Sequence, residues 1–177
     1  MLIGKSVILR AIEPGDLDML RQWRNQSNLR TFFREHTELS SQDQLTWYNQ
    51  IVLPKKNVFM FSIINKETNV LMGACGLCYI DWLRKSADLS IYLGWENIYL
   101  DEVFAMESAK LLIKYAFAEL GLHRIWAEVY SHDMKKQDFF HQLGFLVDGR
   151  FRESHWTENK WVDSIFYSRL STDTIKD

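Results

Sequence analysis

The chain has 177 residues, of which 47% are hydrophobic and 25% charged, and 21 Lys and Arg against 23 Asp and Glu leave a formal charge of −2. That length predicts one domain over 1–177 with a core that needs no disulfide or metal, and the composition excludes disordered and fibrous chains. Balanced charge without a basic stripe argues against a nucleic-acid partner, and the absence of a signal-type h-region or an apolar run of about 18 residues argues against export or a membrane partner. Two cysteines make no disulfide framework, so the expected location is cytoplasmic.

Residues 5–12 read as a first strand. Pro14 then sits where a first-turn proline is tolerated, and Leu17, Met19, Leu20 and Trp23 share one side of the following helix. Ser41 and Gln44 have capping-box spacing ahead of Leu45, Tyr48 and Val52, a second helix that Pro54 ends. Val58 to Ile64 is a nearly continuous apolar run, the pattern of a strand buried on both faces, and 70–80 reads as the next strand. In 86–93, Ala87, Leu89, Ile91 and Leu93 alternate with Asp88, Ser90 and Tyr92, predicting a half-buried strand.

The best helix is predicted over 101–120. Phe104, Ala105, Ser108, Ala109, Leu111, Leu112, Tyr115 and Ala116 make a wide stripe, Glu107, Lys110 and Lys114 hold the opposite face, and Gly121 is the C-cap. Ile125, Ala127 and Val129 alternate with Trp126, Glu128 and Tyr130 in the strand that follows. A last helix runs from about Asp133 to Leu143 and stops at Gly144; strands near 146–156 and 160–170 close the chain around Thr157-Glu158-Asn159. Three consecutive strands suggest an antiparallel meander, and the passage from 86 to 129 a parallel crossover. The fold class expected is mixed α/β (α+β), a mostly antiparallel central sheet of about seven strands flanked by about four helices.

Few chemical motifs stand out. Cys75-Gly76-Leu77-Cys78 spells C-x-x-C, but in a strand the two side chains point to opposite faces, which suits small buried residues better than a redox or zinc pair. The histidines at 36, 123, 132, 141 and 155 lack metal-ligand spacing, so no metal is expected, and no nucleophile elbow, Walker loop or dinucleotide fingerprint is present. Trp126, Trp156 and Trp161 read as core or sheet-surface residues. Glycine is scarce, at 8 residues where average usage gives about 12, so a glycine-rich loop has few places to be.

The segment Glu107 to Ile125 resembles the central helix and following strand of GNAT-family acyl-CoA N-acyltransferases. Phe139 to Phe145, with Asp148-Gly149-Arg150 and Arg152-Glu153, resembles that family's fourth helix and sixth strand, and Trp161-Val162-Asp163 through Tyr167-Ser168-Arg169-Leu170 its closing strand. The branch most similar contains ribosomal-protein N-terminal and spermidine acetyltransferases, while Trp23-Arg24-Asn25, Arg30 and Trp47 are similar to amino-sugar nucleotide acetyltransferases.

The resemblance implies acetyl-CoA as co-substrate, lying in a V-shaped splay between two strands, its pyrophosphate at the N-terminus of the central helix. Cofactor contacts would then fall at Ile91, Tyr92 and Leu93, at Asp101, Glu102, Val103, Phe104, Ala105 and Met106, and at Asp133 and Phe140. Acceptor contacts would fall at Trp23, Arg24, Asn25, Arg30 and Trp47, and acid–base candidates are Glu35, His36, Tyr130 and Glu153, with Glu38 beside them. The phosphate loop expected of the family, Q/R-x-x-G-x-G/A, is here Ile98 to Val103, without its glycines; the usual asparagine is Asp133 and the usual acid tyrosine is Phe140. Two readings follow. One is an N-acyltransferase acting by direct attack of a primary amine, on a nucleotide-linked amino sugar, a protein N-terminus or a small amine. The other is a non-catalytic binding or regulatory module of the same fold that has lost acetyl-CoA. A homodimer is a further expectation.

Overall fold

A computed structural model describes residues 1–34, 37–157 and 159–173. Eight strands form one sheet: β1 Leu2–Ile3, β2 Val7–Ala11, β3 Phe59–Asn65, β4 Leu71–Asp81, β5 Ser86–Leu93, β6 Arg124–Tyr130, β7 Leu146–Thr157 and β8 Lys160–Leu170. Their spatial order is β1-β2-β3-β4-β5-β6-β8-β7, and every neighbouring pair is antiparallel except β5 and β6. The α-helices are α1 Leu17–Asn25, α2 Ser27–Arg30, α3 Ser41–Trp47, α4 Phe104–Ala118 and α5 Met134–Gln142. No helix of the described residues is long and apolar enough to cross a membrane.

The architecture follows the expected order with local differences. The strand expected over 5–12 is β2 alone, and a two-residue β1 precedes it, because Gly4 to Ser6 turn the chain back and the Glu107 carboxylate accepts the Lys5 and Ser6 N–H groups. The short α2 is an addition to the expected helices, held by a turn that follows extended Gln26. The capping box of α3 sits one residue earlier than its spacing suggests: Ser40 Oγ accepts the Asp43 N–H at 3.1 Å, and the Asp43 carboxylate accepts the Ser40 N–H at 2.8 Å. Ser40 has the extended backbone an N-cap needs and Asp43 carries the charge that suits a helix start, which leaves Gln44 buried and Leu45 exposed. A π-turn over Tyr48–Val52 continues this helix.

Packing explains the rest. Leu17, Leu20 and Trp23 of α1 are buried, whereas Met19 is exposed. The Trp23 indole lies against Gly94, where any Cβ would collide with the ring. The central helix begins at Phe104 rather than 101 and lies across β1–β5 through Ala105, Ala109, Leu112, Ile113 and Ala116. Gly121 at φ +64° ends it, a conformation that costs glycine nothing, and Gly144 at φ +78° does the same after α5. The strand β5 is not half-buried: Asp88 and Tyr92, placed by alternation on a solvent face, are 4% and 6% exposed. Both faces of this central strand are covered.

A buried polar knot ties β2 to the first helical turn and to β3. The Asp16 carboxylate accepts two hydrogen bonds from the Arg10 guanidinium at 2.6 and 2.8 Å, one from the Glu13 N–H at 2.9 Å, and one from the Ser62 hydroxyl at 2.7 Å. Burial pushes the carboxyl up, but Arg10, the Glu13 N–H and Ser62 outweigh it and hold the group below its ordinary value. A depressed carboxyl pKa contributes stability above the unfolded value near about 4 and loses it as pH falls through the folded value. Asp16→Ala is therefore expected to cost about 2 kcal/mol at neutral pH, since it strands the buried Ser62 hydroxyl and takes the partner from the half-buried Arg10 guanidinium. Urea unfolding of both proteins between neutral pH and strong acid should show the gap closing as the wild type loses the contribution; a gap independent of pH would contradict the assignment.

Candidate active site

The site arises from a limit on strand pairing. The strands β5 and β6 share register only at Ser86↔Arg124, Ala87↔Ile125 and Asp88↔Trp126. Beyond Asp88, β5 stays with β4 as far as Leu93 while β6 stays with β8 as far as Tyr130, so the two parallel strands part. The Leu93 N–H, pointing into the gap, donates to the Tyr99 carbonyl at 2.8 Å. Because backbone groups alternate along a strand, those of Ile91 face the same gap.

A cavity of about 370 Å³ opens where the strands part. Asp88, Leu89 and Ser90 form one wall and Glu128, Val129 and Tyr130 the other; Phe32, Phe33 and Arg34, from the stretch after α2, cross it, and Arg24 and Trp47 line its far side. Phe32 stacks on Tyr99 at 4.6 Å, Phe33 meets Tyr92 edge-on at 5.2 Å, and the Arg24 guanidinium lies 4.9 Å over the Phe33 ring.

Arg34 joins the two strands at their vertex. Its Nη1 donates to Asp88 Oδ2 at 3.0 Å and its Nε to Glu128 Oε2 at 3.1 Å, while the Tyr79 and Trp126 rings lie 5.6 and 5.7 Å from the guanidinium carbon. Burial works against this cation, but Asp88 and Glu128 overcome it and its pKa is raised. Burial likewise pushes Asp88 up, and Arg34 only partly offsets that.

The helix side of the cavity is a second polar cluster. Asp133 caps α5, its Oδ1 accepting the Lys136 N–H at 3.0 Å and its Oδ2 accepting the Tyr99 hydroxyl at 3.2 Å. The Lys136 ammonium lies 5.6 Å from the Tyr99 ring centroid, and burial lowers its pKa against partial support from Asp133 and Asp88. Tyr130 is buried and stacks on His155 at 4.1 Å; burial pushes its phenol up to about 12, so it stays protonated at neutral pH.

Of the residues singled out by sequence, Tyr130, Asp133, Arg24 and Trp47 line the cavity. Ile91, Tyr92 and Leu93 lie on the β5 segment past the vertex, although the Leu93 N–H is already taken by Tyr99. Trp23 is core, Arg30 ends α2, and Asn25 clamps the Leu39 N–H and carbonyl, each at 2.8 Å, which fixes the chain entering α3. Glu38 lines a neighbouring groove with Arg24 and Trp47. Glu35 and His36 lie outside the described residues.

At the start of α4, the Asp101 carboxylate accepts the Ala105 N–H at 2.7 Å, Glu102 and Val103 are exposed, and Phe104, Ala105 and Met106 form the first turn. Val103 has φ −107°, so the chain needs no left-handed residue there. Phe140 does not reach the cavity: it is fully buried among Phe139, Phe145 and Tyr167. Glu153 stands exposed on an irregular turn of β7, at φ +50°, its N–H donating to Asp163 at 2.7 Å. Cys75 is sealed in the core and Cys78, at the cavity wall, has its thiol pushed up to about 12 by burial, so neither offers a thiolate.

Arg34, Asp88, Glu128 and Lys136 went unnoticed in sequence. Asp88 and Glu128 sat on the supposed solvent faces of alternating strands, and Lys136 in a polar helical run. The available signal was the acid inside an otherwise apolar strand.

The acetyltransferase (GNAT) domain family model matches residues 9–166, and the chain belongs to that family. An uncharacterized N-acetyltransferase, p20, of Bacillus licheniformis is 28% identical over 96% of this chain and 95% of its own. The spermidine N(1)-acetyltransferase of Vibrio cholerae serotype O1 is 23% identical over 91% of each chain. The crystal structure of the Vibrio cholerae spermidine N-acetyltransferase in complex with CoA and spermine superposes with a TM-score of 0.85 at 23% identity, covering 94% of this chain and 96% of that one.

Removing Arg34 would leave Asp88 buried without its partner. Arg34→Ala is expected to cost about 1 to 2 kcal/mol in urea unfolding, less than for a fully buried pair because the guanidinium keeps contact with solvent. Adding Asp88→Ala to that variant should restore part of the loss, and a double variant as unstable as the sum of the singles would show that the two do not couple.

Proposed function

We propose that the chain, acting as a single acyltransferase domain, moves an acetyl group from acetyl-CoA to a primary amine by direct attack of the amine on the thioester. The observation that carries this reading is the parting of β5 from β6 beside a cavity with protonated donors. The Ile91 backbone edge would pair with the amide arm of the co-substrate, and the N-terminus of α4 would face its phosphates, where free N–H groups and the helix dipole favour an anion. The cavity then holds the thioester against the acceptor, and positioning supplies most of the rate.

The acceptor we favour is a nucleotide-linked amino sugar. In the cavity Arg24, Arg34 and Lys136 balance Asp88, Glu128 and Asp133, so no acidic excess awaits a polycation such as spermidine, the substrate named for the Vibrio relative. Arginine beside Phe33 and Trp47 suits a phosphate-bearing, ring-containing molecule. The exposed Phe151, Trp156 and Trp161 of the last two strands would be covered in a homodimer, and a cytoplasmic setting would supply the co-substrate.

Asp101 favours the second reading, a binding module without acetyl-CoA, because its carboxylate already satisfies an N–H at the helix end. Titration calorimetry with acetyl-CoA decides between them. Heat of binding at micromolar to millimolar ligand, with thiol release on adding amino-sugar nucleotides, is the expected outcome; no heat at millimolar ligand would overturn the enzyme reading.

The same acid sets a second expectation. Asp101→Asn removes the charge and should tighten acetyl-CoA roughly threefold to tenfold, a fraction of what an unscreened charge pair at close range is worth. The shift should be smaller at high salt. An unchanged dissociation constant would place the phosphates elsewhere.

A further inference from the structure

Lys136 lines the cavity with a half-buried side chain, and its ammonium makes no hydrogen bond or ion pair with any described residue. The two carboxylates closest to serving it are committed elsewhere. Asp133 spends one oxygen on the Lys136 backbone N–H and the other on the Tyr99 hydroxyl, and Asp88 is held by Arg34. The groups facing the ammonium are therefore Asp133 from its own helix cap, Tyr99 from the segment before α4, Asp88 from β5, Arg34 from the stretch after α2, and Glu128 and Tyr130 from β6. An uncommitted cation lining the cavity where β5 and β6 part is placed for negative charge that develops there.

We propose that Lys136 is the proton donor to the leaving thiolate, an assignment that rests on the acyl-transfer reading above. The acceptor nitrogen forms a C–N bond to the thioester carbonyl carbon, and the C–S bond breaks with its electron pair on sulfur. The Lys136 ammonium passes a proton to that sulfur, giving a neutral thiol and a neutral lysine amine. The proton shed by the acceptor nitrogen returns to the lysine amine, so amide and thiol are the only products. No other donor of the cavity matches the task as well. Arginine holds its proton throughout, Tyr130 sits at about 12, and Phe140 has no proton to give and no access. Burial moves Lys136 in the opposite direction, below its ordinary value, which makes its ammonium the readier donor.

The test uses the full chain, Lys136→Met and Lys136→Arg, with circular dichroism and urea unfolding confirming that each folds. In the wild type, kcat should fall as pH rises through the lowered Lys136 pKa, because the donor is lost. Lys136→Met should reduce kcat about 100-fold and abolish that alkaline limb, while the acetyl-CoA Kd from calorimetry stays within about threefold. Lys136→Arg keeps the charge but releases no proton, so it should be impaired as severely. A readout apart from turnover is the thiol of bound CoA, followed by thiolate absorbance against pH: its pKa should be lower on the wild type than on Lys136→Met. Wild-type kcat in either variant would overturn the proposal, as would a 42 Da gain on Lys136 by mass spectrometry, since that marks a nucleophile. Those results leave acyl transfer standing, whereas a wild type that binds no acetyl-CoA brings down the parent reading itself.

Discussion

The ion triad of Arg34 with Asp88 and Glu128 occupies the point on which the site depends. Parallel strands hold together through evenly spaced backbone hydrogen bonds, and once β5 and β6 separate past Asp88 that ladder is gone. A guanidinium that reaches both strands replaces it with two charge-assisted bonds in a partly dry setting. The same side chain begins outside the sheet, in the stretch after α2. One residue therefore fixes the opening of the strands and anchors the segment that roofs the cavity. A buried carboxylate such as Asp88 is tolerable only with such a partner, which makes the roof and the vertex interdependent.

Much of the architecture was legible because it follows from periodicity and punctuation. The apolar stripe of α4, the glycines at 121 and 144, and the alternating tail strands each specify an element locally. The turn at Gly4 to Ser6 was not legible, because Glu107, about a hundred residues away, supplies its hydrogen-bond acceptors. The β5 strand misled for a related reason: alternation reports two faces but not what covers them. A central strand in a sheet packed on both sides buries its polar face too, and Asp88 survives there only through an arginine far off in sequence.

The candidate site was legible where it coincides with backbone geometry and illegible where it depends on side chains converging from separate elements. The strand parting and the start of α4 are backbone features that the order of elements implies, and Tyr130, singled out on β6, lines the cavity beside them. Lys136 does not advertise itself, since lysine on an amphipathic helix is ordinarily a solvated residue. Its significance appears only once Asp133 and Asp88 are seen to be engaged with other partners. Phe140 illustrates the converse: a prominent position in the family pattern, it is here sealed in an aromatic cluster that braces α5 against β8.

The two ends of the proposed co-substrate groove bear opposite electrostatic demands. At the start of α4, Asp101 satisfies the Ala105 N–H and offers negative charge to a helix end that would otherwise attract phosphate. On the α5 side of the cavity, Lys136 brings an ammonium to the place where, on the proposed reading, a thiolate would form, while the Arg34 charge is taken up by Asp88 and Glu128. On the proposed reading, a chain arranged this way would spend little binding energy on the remote phosphates and place a cation beside the reacting bond. Interactions realised at the reacting centre lower the barrier, whereas uniform grip on a distant group improves only ground-state affinity. An acid at the proposed phosphate end and a cation in the cavity would therefore be compatible features of one transferase, and the scarcity of glycine near residues 101–103 does not by itself argue that the chemistry is lost.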